Sequence, residues 1–550
     1  MKNIFTLFTL LFVFTQISFS QCDSSVTKIM MIGDSWSSFP YNFGSFENNL
    51  DRYGYTNIEM YSNTTNLSIS GAVTANFLTA ASKTDVQNEL NAHPDVELIN
   101  LSIGGNDILN EWNKSMDSLT TDSLIDAMVN RVDSIIMNLK TMKPGVKIYV
   151  PGYDYANFEE VIMTFAAPTF HLFYSRWNGM GKPNFIEINT LLAKASKKFE
   201  ALANSHSEVY YNNALGLMQY LYGQATPLGV APSGTYPAKS VPFPGGRLDY
   251  PTPKIMMNDY TAFRDCFHLS SQGFDDFYSY HFQKFYWDYL RNEVDSSYVS
   301  EGSSKDGGVS STSIINAGSI AIGNSGTVGI SKGIVSFNTA SLPSSAPIHK
   351  ANIFLHRHNH TGTLPTFNKV ILEVKRGNFG SSSAVEFSDY SSPADKLDTA
   401  CVYGSVKENG FWLRIGVPQG LLTEFNTTGV TQFRISMVDT TDGSVFYFST
   451  GDSVNKPMLD VEFYFPASTE ELTAVNELII YPNPSNSNYV SLKSDHNFNG
   501  KISAIDITGR KHPLTYSGNQ IDISRLVSGT YFFIFEDETQ RIVKRFVRID

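Results

Sequence analysis

The sequence contains few cysteines and no cluster of basic residues. Only three of its 550 residues are cysteine (Cys22, Cys266 and Cys401), so a framework of disulfides cannot hold the protein together, and stability has to come from large apolar cores. The formal net charge is -12, which argues against nucleic acid or an anionic membrane as a partner. Apolar residues make up 42% of the chain, and its length allows about three domains.

Long apolar runs are missing from the sequence except at its start. Residues 4–17 form such a run after Lys2, and Ser18 and Ser20 then give the small-x-small pattern of a cleavage site. This predicts a secretory signal peptide over residues 1–20, because the run is short for crossing a bilayer. No transmembrane segment is expected in the mature chain. Cys22 leaves a lipid anchor open, although the residues before it match a lipidation motif poorly.

Strand and helix patterns alternate in the first half of the chain. The strands are predicted from near-continuous apolar runs at residues 27–32, 96–103 and 146–150, and from a more alternating stretch at 57–62 that is typical of an edge. Apolar residues three and four apart predict helices over residues 124–139 and 191–202. This alternation predicts an α/β fold, a doubly wound parallel sheet between helices, which we assign to residues 21–293.

Four short motifs lie in order along this α/β region: Gly33–Ser35, Gly71, Gly104–Asp107 and Asp265–His268. The first directly follows an apolar strand, so its serine lies at a strand's carboxyl end, where open α/β sheets bind ligands. The third motif also follows a strand. Each motif alone has a plain structural explanation, as a helix cap or a turn, but their combination supplies the groups of an acyl-transfer site.

The chemistry of acyl transfer assigns a role to each group. Ser35 is the candidate nucleophile; it needs a base, His268, which Asp265 three residues earlier can orient. The negative charge of the tetrahedral intermediate needs hydrogen-bond donors, and the candidates are the N–H groups of Ser35 and Gly71 and the side-chain amide of Asn106. The sequence therefore predicts a serine esterase that requires no metal and no cofactor.

These four blocks resemble those of the GDSL/SGNH hydrolase superfamily, over about residues 26–293. The resemblance implies a flavodoxin-like fold and an esterase or lipase activity, with Ser35, Gly71, Asn106 and His268 as the matching residues and Asp265 as the partner of the histidine. Trp36 stands where the name-giving motif has leucine. The long interval between the third and fourth motifs implies inserted structure and leaves the substrate class open.

A proline-rich segment precedes the last motif. Seven prolines fall between residues 226 and 256, a density that forbids a regular helix or central strand. We interpret this segment as a rim or lid over the site, with a surface loop as the alternative. The candidate substrate-binding residues are Trp36, Tyr236, Phe243 and Tyr250, of which the last three are candidate faces for stacking on sugars.

The second half of the chain is predicted to be all-β. A Ser- and Gly-rich stretch over residues 294–312 is typical of a linker, and residues 313–466 show short alternating segments separated by turns, which predict a β-sandwich. The segments Lys332–Phe337, Ala351–Leu355 and Lys456–Glu462 resemble DNRLRE-type modules, jelly-roll sandwiches often attached to polysaccharide-active enzymes. His356, His358 and His360 alternate, so on a strand they share one face. This leaves two interpretations open, a metal site or a stripe of histidines that faces solvent.

The last 75 residues contain blocks in a recognisable order. After a second linker at residues 467–475, the blocks are Tyr481–Pro484, Ile505–Arg510, Leu526–Phe532 and Lys544–Phe546. Residues 476–550 resemble the C-terminal sorting domains recognised by the type IX secretion machinery. The resemblance implies a small β domain and export through the inner and outer membranes, with the product secreted or attached to the cell surface.

Together these features predict an exported serine esterase that acts on O-acetyl or other short acyl groups of polysaccharide. A lipase or phospholipase with the same site is the first alternative. The second alternative is a cell-surface carbohydrate-binding protein whose hydrolase domain is vestigial.

Overall fold

The computed structural model describes residues 22–549 except for 292–293, 303, 316–317, 326–328, 345–346, 363–367, 406–407, 439–442, 464–478, 484, 494–499, 507–510 and 537–540. The predicted signal peptide and the predicted linker at 467–475 lie outside the described residues. Contacts divide the chain into two compact units. The first comprises the chain up to Leu342 together with Ile348–Glu462, and the second comprises Pro343–Pro347 and Phe463–Asp550.

The first part of unit one is an α/β/α structure, as the sequence predicts. Five of its described strands form a parallel sheet in the order β2-β1-β3-β4-β5, and β6 and β7 form a separate antiparallel pair. The order 2-1-3-4-5 is that of flavodoxin-like folds. The strands are β1 (Val26–Gly33), β2 (Ile58–Tyr61), β3 (Leu98–Ser102), β4 (Lys147–Val150), β5 (Val209–Tyr211), β6 (Met257–Asp259) and β7 (Arg264–Leu269).

Helices cover both faces of this sheet. They are α1 (Ser35–Phe43), α2 (Ser45–Arg52), α3 (Ala80–Ala92), α4 (Gly105–Glu111), α5 (Ser118–Met142), α6 (Phe158–Met163), α7 (Tyr174–Gly179), α8 (Phe185–Ser205), α9 (Leu217–Tyr222), α10 (Ser271–His281) and α11 (Trp287–Leu290). A π-helical turn, Phe282–Tyr286, makes α10 and α11 continuous, and short 3₁₀ segments lie at Thr74–Leu78, Pro168–Phe170 and Lys254–Met256.

The alternation of side chains along β1 explains its unbroken apolar run. Met30 and Ile32 pack into the core that also contains residues of α5 and α8, whereas Ile29 and Met31 pack into the core with residues of α2 and α10. All four are fully buried. Successive residues of a strand point to opposite faces, so a strand covered on both sides has to be apolar throughout.

The second part of unit one is a β structure whose described pairings are antiparallel. Its strands are β8 (Ser296–Val299), β9 (Gly307–Ser310), β10 (Ile314–Ile315), β11 (Ser319–Ser325), β12 (Gly329–Asn338), β13 (Ile348–Thr361), β14 (Lys369–Arg376), β15 (Lys396–Tyr403), β16 (Trp412–Gly416), β17 (Val430–Met437), β18 (Val445–Ser449) and β19 (Met458–Phe463). Eight of them, β11 to β18, pair in a circuit that β12 and β17 close. The predicted sandwich is therefore barrel-like.

The segment predicted to be a linker, residues 294–312, belongs to this β structure. Within it, β8 pairs with β19 and β9 pairs with β12. The linker prediction is wrong here because the partner of β8 lies more than 150 residues further along the chain, so local composition alone does not reveal the pairing. The three alternating histidines lie on β13, where a β-bulge interrupts the strand.

The histidine rings have separate polar neighbours. His358 Nε2 lies 2.9 Å from Ser319 Oγ, and His356 Nδ1 lies 3.3 Å from Ser449 Oγ. No group of three metal-ligating side chains occurs in the part of the chain that the structure describes.

The α/β and β parts of unit one share a core and a covalent link. Phe354 and Trp412 of the β structure are buried in the same apolar cluster as α2 and α10. Cys22, for which the sequence leaves a lipid anchor open, forms a disulfide with Cys401 on β15. Arg414 Nε donates to the Gly54 carbonyl at 2.8 Å. The two predicted domains therefore form one compact body.

Unit two contains a described sheet of seven strands in the order β20-β21-β24-β23-β22-β25-β26. These strands are β20 (Ile479–Tyr481), β21 (Tyr489–Lys493), β22 (Lys501–Asp506), β23 (Lys511–Ser517), β24 (Gln520–Asp522), β25 (Gly529–Glu536) and β26 (Arg541–Arg548). Among the described helices, none is long and apolar enough to cross a membrane.

Candidate active site

Ser35 lies at the carboxyl end of β1, as the sequence predicts. It is the first residue of α1, and Asp34 caps the helix by accepting a hydrogen bond from the Trp36 N–H at 2.9 Å. Gly33 has a φ of +150°, and a Cβ there would lie 1.8 Å from the Ser102 carbonyl oxygen at the end of β3. Only glycine lets the two strand ends approach this closely, which explains the residue before the Asp-Ser pair.

His268 and Asp265 reach Ser35 from β7. His268 Nε2 lies 2.7 Å from Ser35 Oγ, and His268 Nδ1 lies 2.7 Å from Asp265 Oδ2. With the Nδ1 proton donated to the carboxylate, Nε2 accepts the hydroxyl proton of Ser35. Asp265 Oδ1 also accepts the backbone N–H groups of Phe267 and His268, at 2.8 and 3.0 Å. These bonds form a turn that brings two residues three apart on one strand to the same side.

The helix that carries Ser35 also supports the histidine. The rings of Phe39 and His268 are stacked at a centroid distance of 4.3 Å and an angle of 8°. Phe39 lies four residues after Ser35 on α1, so both side chains share one helix face. Phe39 is not among the residues predicted from the sequence, although its helical spacing from Ser35 is a signal for it.

The three candidate oxyanion donors lie on neighbouring segments at this edge of the sheet. The Gly71 segment is joined to the end of β1, because the Gly33 N–H donates to the Leu67 carbonyl at 2.8 Å and the Ile69 N–H to the Gly33 carbonyl at 2.9 Å. Asn106, on α4, donates its side-chain N–H to the Ala72 carbonyl at 3.1 Å. Among the described residues, no acceptor is found for the N–H groups of Ser35 and Gly71.

Asp107 fixes the position of the Gly71 segment. Its carboxylate accepts the N–H and the hydroxyl of Thr74, at 2.9 and 2.5 Å, and a hydrogen bond from Arg131 at 2.9 Å. This group connects α4 to the 3₁₀ segment that follows Gly71. Asp107 is thus an anchor for the two segments that carry candidate donors.

A second connection passes through Tyr153, which follows β4. Its hydroxyl donates to Asp34 Oδ2 at 2.9 Å and accepts the Gly105 N–H at 3.0 Å, so it joins the Ser35 turn to the start of α4. Burial raises the pKa of Asp34 to about 7 in spite of its two hydrogen bonds, and burial raises the pKa of Tyr153 well above its usual value. Tyr153 is not among the residues predicted from the sequence, although its position at a strand's carboxyl end is a signal for it.

A small cavity of about 40 Å³ adjoins the serine. Ser35, Trp36 and Asn106 border it, and its other walls are mainly apolar. The apolar side chains are Ile108, Leu109, Ile188, Leu192 and Phe267. A site that holds one water needs roughly 10–15 Å³, so this cavity has room for a small group beside the serine.

The structure buries, wholly or partly, the residues of the proline-rich segment that the sequence predicts as exposed faces for sugars. Tyr236 and Tyr250 are 7% and 3% exposed, pack edge to face against each other and contact Arg247. Phe243 is partly buried and stacks on Tyr220. The two tyrosine rings offer no open face to a sugar. Trp36 borders the cavity, but its indole N–H donates to the Phe267 carbonyl, and the ring is largely buried.

Cys266, between Asp265 and His268 in the sequence, points away from the site into the core. It is fully buried, and burial raises the pKa of its thiol well above the usual value. A nucleophilic thiolate is therefore disfavoured at this position.

Comparison with known protein families identifies two parts of the chain. Residues 29–275 match the GDSL-like lipase/acylhydrolase family, and residues 479–549 match the secretion system C-terminal sorting domain. The chain thus contains an ester-hydrolase domain and a type IX sorting domain, and it is a secreted or cell-surface esterase. A comparison with curated proteins gives no match.

Solved structures similar to this chain include two carbohydrate esterases and a phospholipase. A family 3 carbohydrate esterase from Clostridium thermocellum is 16% identical, with 49% of this chain and 98% of that chain covered and a TM-score of 0.26. A family 3 carbohydrate esterase from Talaromyces cellulolyticus is 11% identical (48% and 99% covered, TM-score 0.28). Phospholipase A1 from Streptomyces albidoflavus is 15% identical (47% and 99% covered, TM-score 0.27).

Proposed function

We propose that the α/β part of this chain is a serine esterase that removes short acyl groups, above all acetyl groups, from polysaccharide. The observation that carries the proposal is the continuous hydrogen-bonded array from Ser35 Oγ through the His268 ring to Asp265, with 2.7 Å at both contacts of the imidazole. In this proposal Ser35 is the nucleophile, His268 the general base and acid, and Asp265 the residue that orients the histidine.

The reaction proceeds in two halves. Ser35 Oγ attacks the ester carbonyl carbon while its proton moves to His268 Nε2, and the negative oxygen is stabilised by the N–H groups of Ser35 and Gly71 and the side-chain amide of Asn106. His268 then gives the proton to the leaving alcohol, and the acyl group stays on Ser35. In the second half a water molecule loses a proton to His268, attacks the acyl carbon and releases the carboxylic acid, and Ser35 regains its proton.

The cavity beside Ser35 supports a short acyl group. A volume of about 40 Å³ with mainly apolar walls suits a small acyl group such as acetyl. The alcohol part of the substrate then stays outside the cavity. Export through the type IX pathway brings the domain to extracellular polymers, which supports polysaccharide as that alcohol part.

A lipase is the second candidate, and exposed apolar side chains near β7 favour it. Phe170, Leu172 and Ile255 are 85%, 63% and 65% exposed. The segment of Phe170 and Leu172 lies beside β7, the strand of Asp265, because the ring of His171 is 3.1 Å from the Arg264 carbonyl. Ile255 lies just before β6, which pairs with β7. An exposed apolar surface of this kind is typical of contact with lipid or another apolar partner.

A series of p-nitrophenyl esters from acetyl to palmitoyl separates these functions. We expect kcat/KM to be highest for acetyl and to fall steeply with chain length, and Ser35→Ala to lower kcat by at least about 1000-fold because the nucleophile is lost. The matched control is Ser37→Ala, which removes a buried hydroxyl from the same helix, bonded to the Ile32 carbonyl, and should leave kcat unchanged. Preference for palmitoyl would favour the lipase, and activity indifferent to Ser35 would overturn the mechanism.

The polysaccharide part of the proposal has its own test. We expect acetate release from acetylated xylan at a higher kcat/KM per acetyl group than from ethyl acetate, because contacts to the polymer add binding energy. Equal values for the two esters would contradict a polysaccharide substrate and would leave the serine mechanism untouched.

A further inference from the structure

A second cavity lies in unit one where the α/β part meets the β structure. It has a volume of about 520 Å³, within the 300–1,000 Å³ typical of ligand pockets. One wall comes from α2 and the continuous helix α10–α11, and the other from β13, β16 and the segment before β16. We call it the seam cleft. It shares no lining residue with the cavity beside Ser35.

The two walls of the seam cleft are fixed to each other. The rings of Trp287 and Trp412 meet across the seam at a centroid distance of 4.9 Å. Arg52 forms an ion pair with Asp275 at 2.8 Å, and its guanidinium lies 5.3 Å from the centre of the Phe411 ring. The cleft is therefore a built part of a single compact body.

The segment that bears Glu408 and Asn409 is held from beneath by a buried arginine. Arg357 is 1% exposed, its Nε donates to the Glu408 carbonyl at 2.9 Å, and its own carbonyl accepts the Gly410 N–H at 2.7 Å. These backbone bonds leave the side chains of Glu408 and Asn409 exposed at the cleft. The polar groups of the cleft are thus presented on a rigid support.

The lining chemistry combines an aromatic wall with planar polar side chains. Trp287, which is partly buried, gives the aromatic surface, and the buried ring of Trp412 packs against it. The polar groups are the carboxylate of Glu408 and the amides of Gln283, Asn409 and Asn455. Amides and carboxylates can each engage neighbouring hydroxyls with two polar atoms.

Charge distinguishes between classes of ligand. The guanidinium of Arg52 is paired with Asp275, and the charge of Glu408 is opposed by the buried guanidinium of Arg357. Among its described residues the cleft therefore offers no unpaired positive charge that would attract a phosphate, a nucleotide or an acidic polymer. A neutral ligand with an apolar ring face and many hydroxyls fits, and this is the chemistry of an uncharged sugar.

We propose that the seam cleft binds a sugar segment of a neutral polysaccharide at a site separate from the catalytic centre. From Ser270, which caps α10 next to His268, to Gln283 is about 20 Å along the helix at 1.5 Å per residue. A polymer held in the cleft is thereby kept near the Ser35 site without occupying it. The inference does not depend on the proposed esterase activity.

Binding is measured on the full chain carrying Ser35→Ala, so that no turnover interferes. The probes for affinity electrophoresis and calorimetry are deacetylated xylan, glucomannan and mixed-linkage β-glucan as neutral polymers, and polygalacturonate as an acidic one. We expect at least one neutral polymer to bind and polygalacturonate not to bind. Binding to none of the neutral polymers, or to polygalacturonate in preference, would overturn the proposal.

Variants at exposed positions locate the site without disturbing the core. We expect Glu408→Ala combined with Asn409→Ala to weaken binding of the neutral polymer at least tenfold. The matched control is Asn359→Ala, another exposed asparagine on the β structure, which should bind as before. Turnover of p-nitrophenyl acetate by the same variants with Ser35 intact should be unchanged. Undiminished binding by the double variant would overturn the assignment to the cleft.

Discussion

At the scale of single residues, the hydroxyl of Tyr153 connects two segments whose relative position matters for the reaction. It donates to Asp34, next to the nucleophile, and accepts from Gly105, next to Asn106. Without it, the Gly105 N–H and one oxygen of Asp34 lose their partners, and an unpaired buried polar group costs about 1–3 kcal/mol. Tyr153 acts through other residues, so we regard it as a positioning residue.

We expect Tyr153→Phe to lower kcat for p-nitrophenyl acetate about tenfold while KM changes less than twofold. A tenfold change corresponds to about 1.4 kcal/mol, within the range for one lost buried hydrogen bond. The matched control is Tyr155→Phe, which removes a buried hydroxyl two residues away that donates to the Gly245 carbonyl at 2.7 Å. Equal losses of kcat in both variants would mean that Tyr153 has only a structural role.

At the scale of elements, α10 carries a buried histidine that makes the fold sensitive to acid. His281 is fully buried, and burial lowers its pKa from 6.5 to about 3. Its ring accepts a hydrogen bond from the Tyr149 hydroxyl and packs against Phe277 at a centroid distance of 4.4 Å. Unfolding lets the imidazole take up a proton near pH 6.5, whereas the folded protein resists protonation down to about pH 3.

Between pH 6.5 and 3 the unfolded chain therefore binds more protons at His281 than the folded protein does. The contribution of the neutral, buried His281 to stability is complete above pH 6.5. It is lost as the pH falls, at up to about 1.4 kcal/mol per pH unit. We expect His281→Gln, which keeps an acceptor for Tyr149 but does not titrate, to remove this part of the slope. Urea unfolding from pH 7.5 to 4.5 measures the pH dependence of the free energy of unfolding. Equal slopes for the wild type and for His281→Gln would refute the assignment of this acid sensitivity to His281.

The elements of the α/β part could be predicted because their signals are local. Met30 and Ile32 alternate with Ile29 and Met31 in one unbroken apolar run, and the strand that they form places Ser35 at its end. The strands β8 and β9 could not be predicted in this way. Their Ser- and Gly-rich segment is ordered by pairing with strands distant in sequence, and the pattern within the segment carries no information about those partners.

Burial also depends on contacts that the sequence does not display. Tyr236 and Tyr250 lie in a proline-rich segment that is typical of an exposed rim, yet Arg247 and their own edge-to-face contact cover their rings. Tyr153 shows the converse. It lies well outside the four motifs, and only the pairing of β1, β3 and β4 in the folded sheet brings it to Asp34 and Gly105.

At the scale of the whole molecule, one disulfide joins the beginning of the α/β part to the β structure. Cys22 precedes β1, and Cys401 lies on β15, 379 residues further along the chain. The same two parts are connected by Arg414 to Gly54 and by the ion pair of Arg291 with Asp460 at 2.6 Å. A chain with three cysteines thus stabilises its seam with a single covalent link instead of a disulfide framework.

Closing so long a loop restricts the unfolded chain, and loss of a native disulfide typically costs about 2–5 kcal/mol. We expect the double variant Cys22→Ser with Cys401→Ser to lower the free energy of unfolding of unit one by about 2–4 kcal/mol. Turnover of p-nitrophenyl acetate at 25 °C should be unchanged, because neither cysteine borders the cavity beside Ser35.

The control is Cys266→Ala, which removes the free buried thiol and leaves the link intact. Thiol titration of the denatured, unreduced protein provides a second readout. One free thiol is expected in the wild type and none in Cys266→Ala. Three free thiols in the wild type would show that the link does not form, and the noncovalent contacts of the seam would then have to hold the two parts of unit one together.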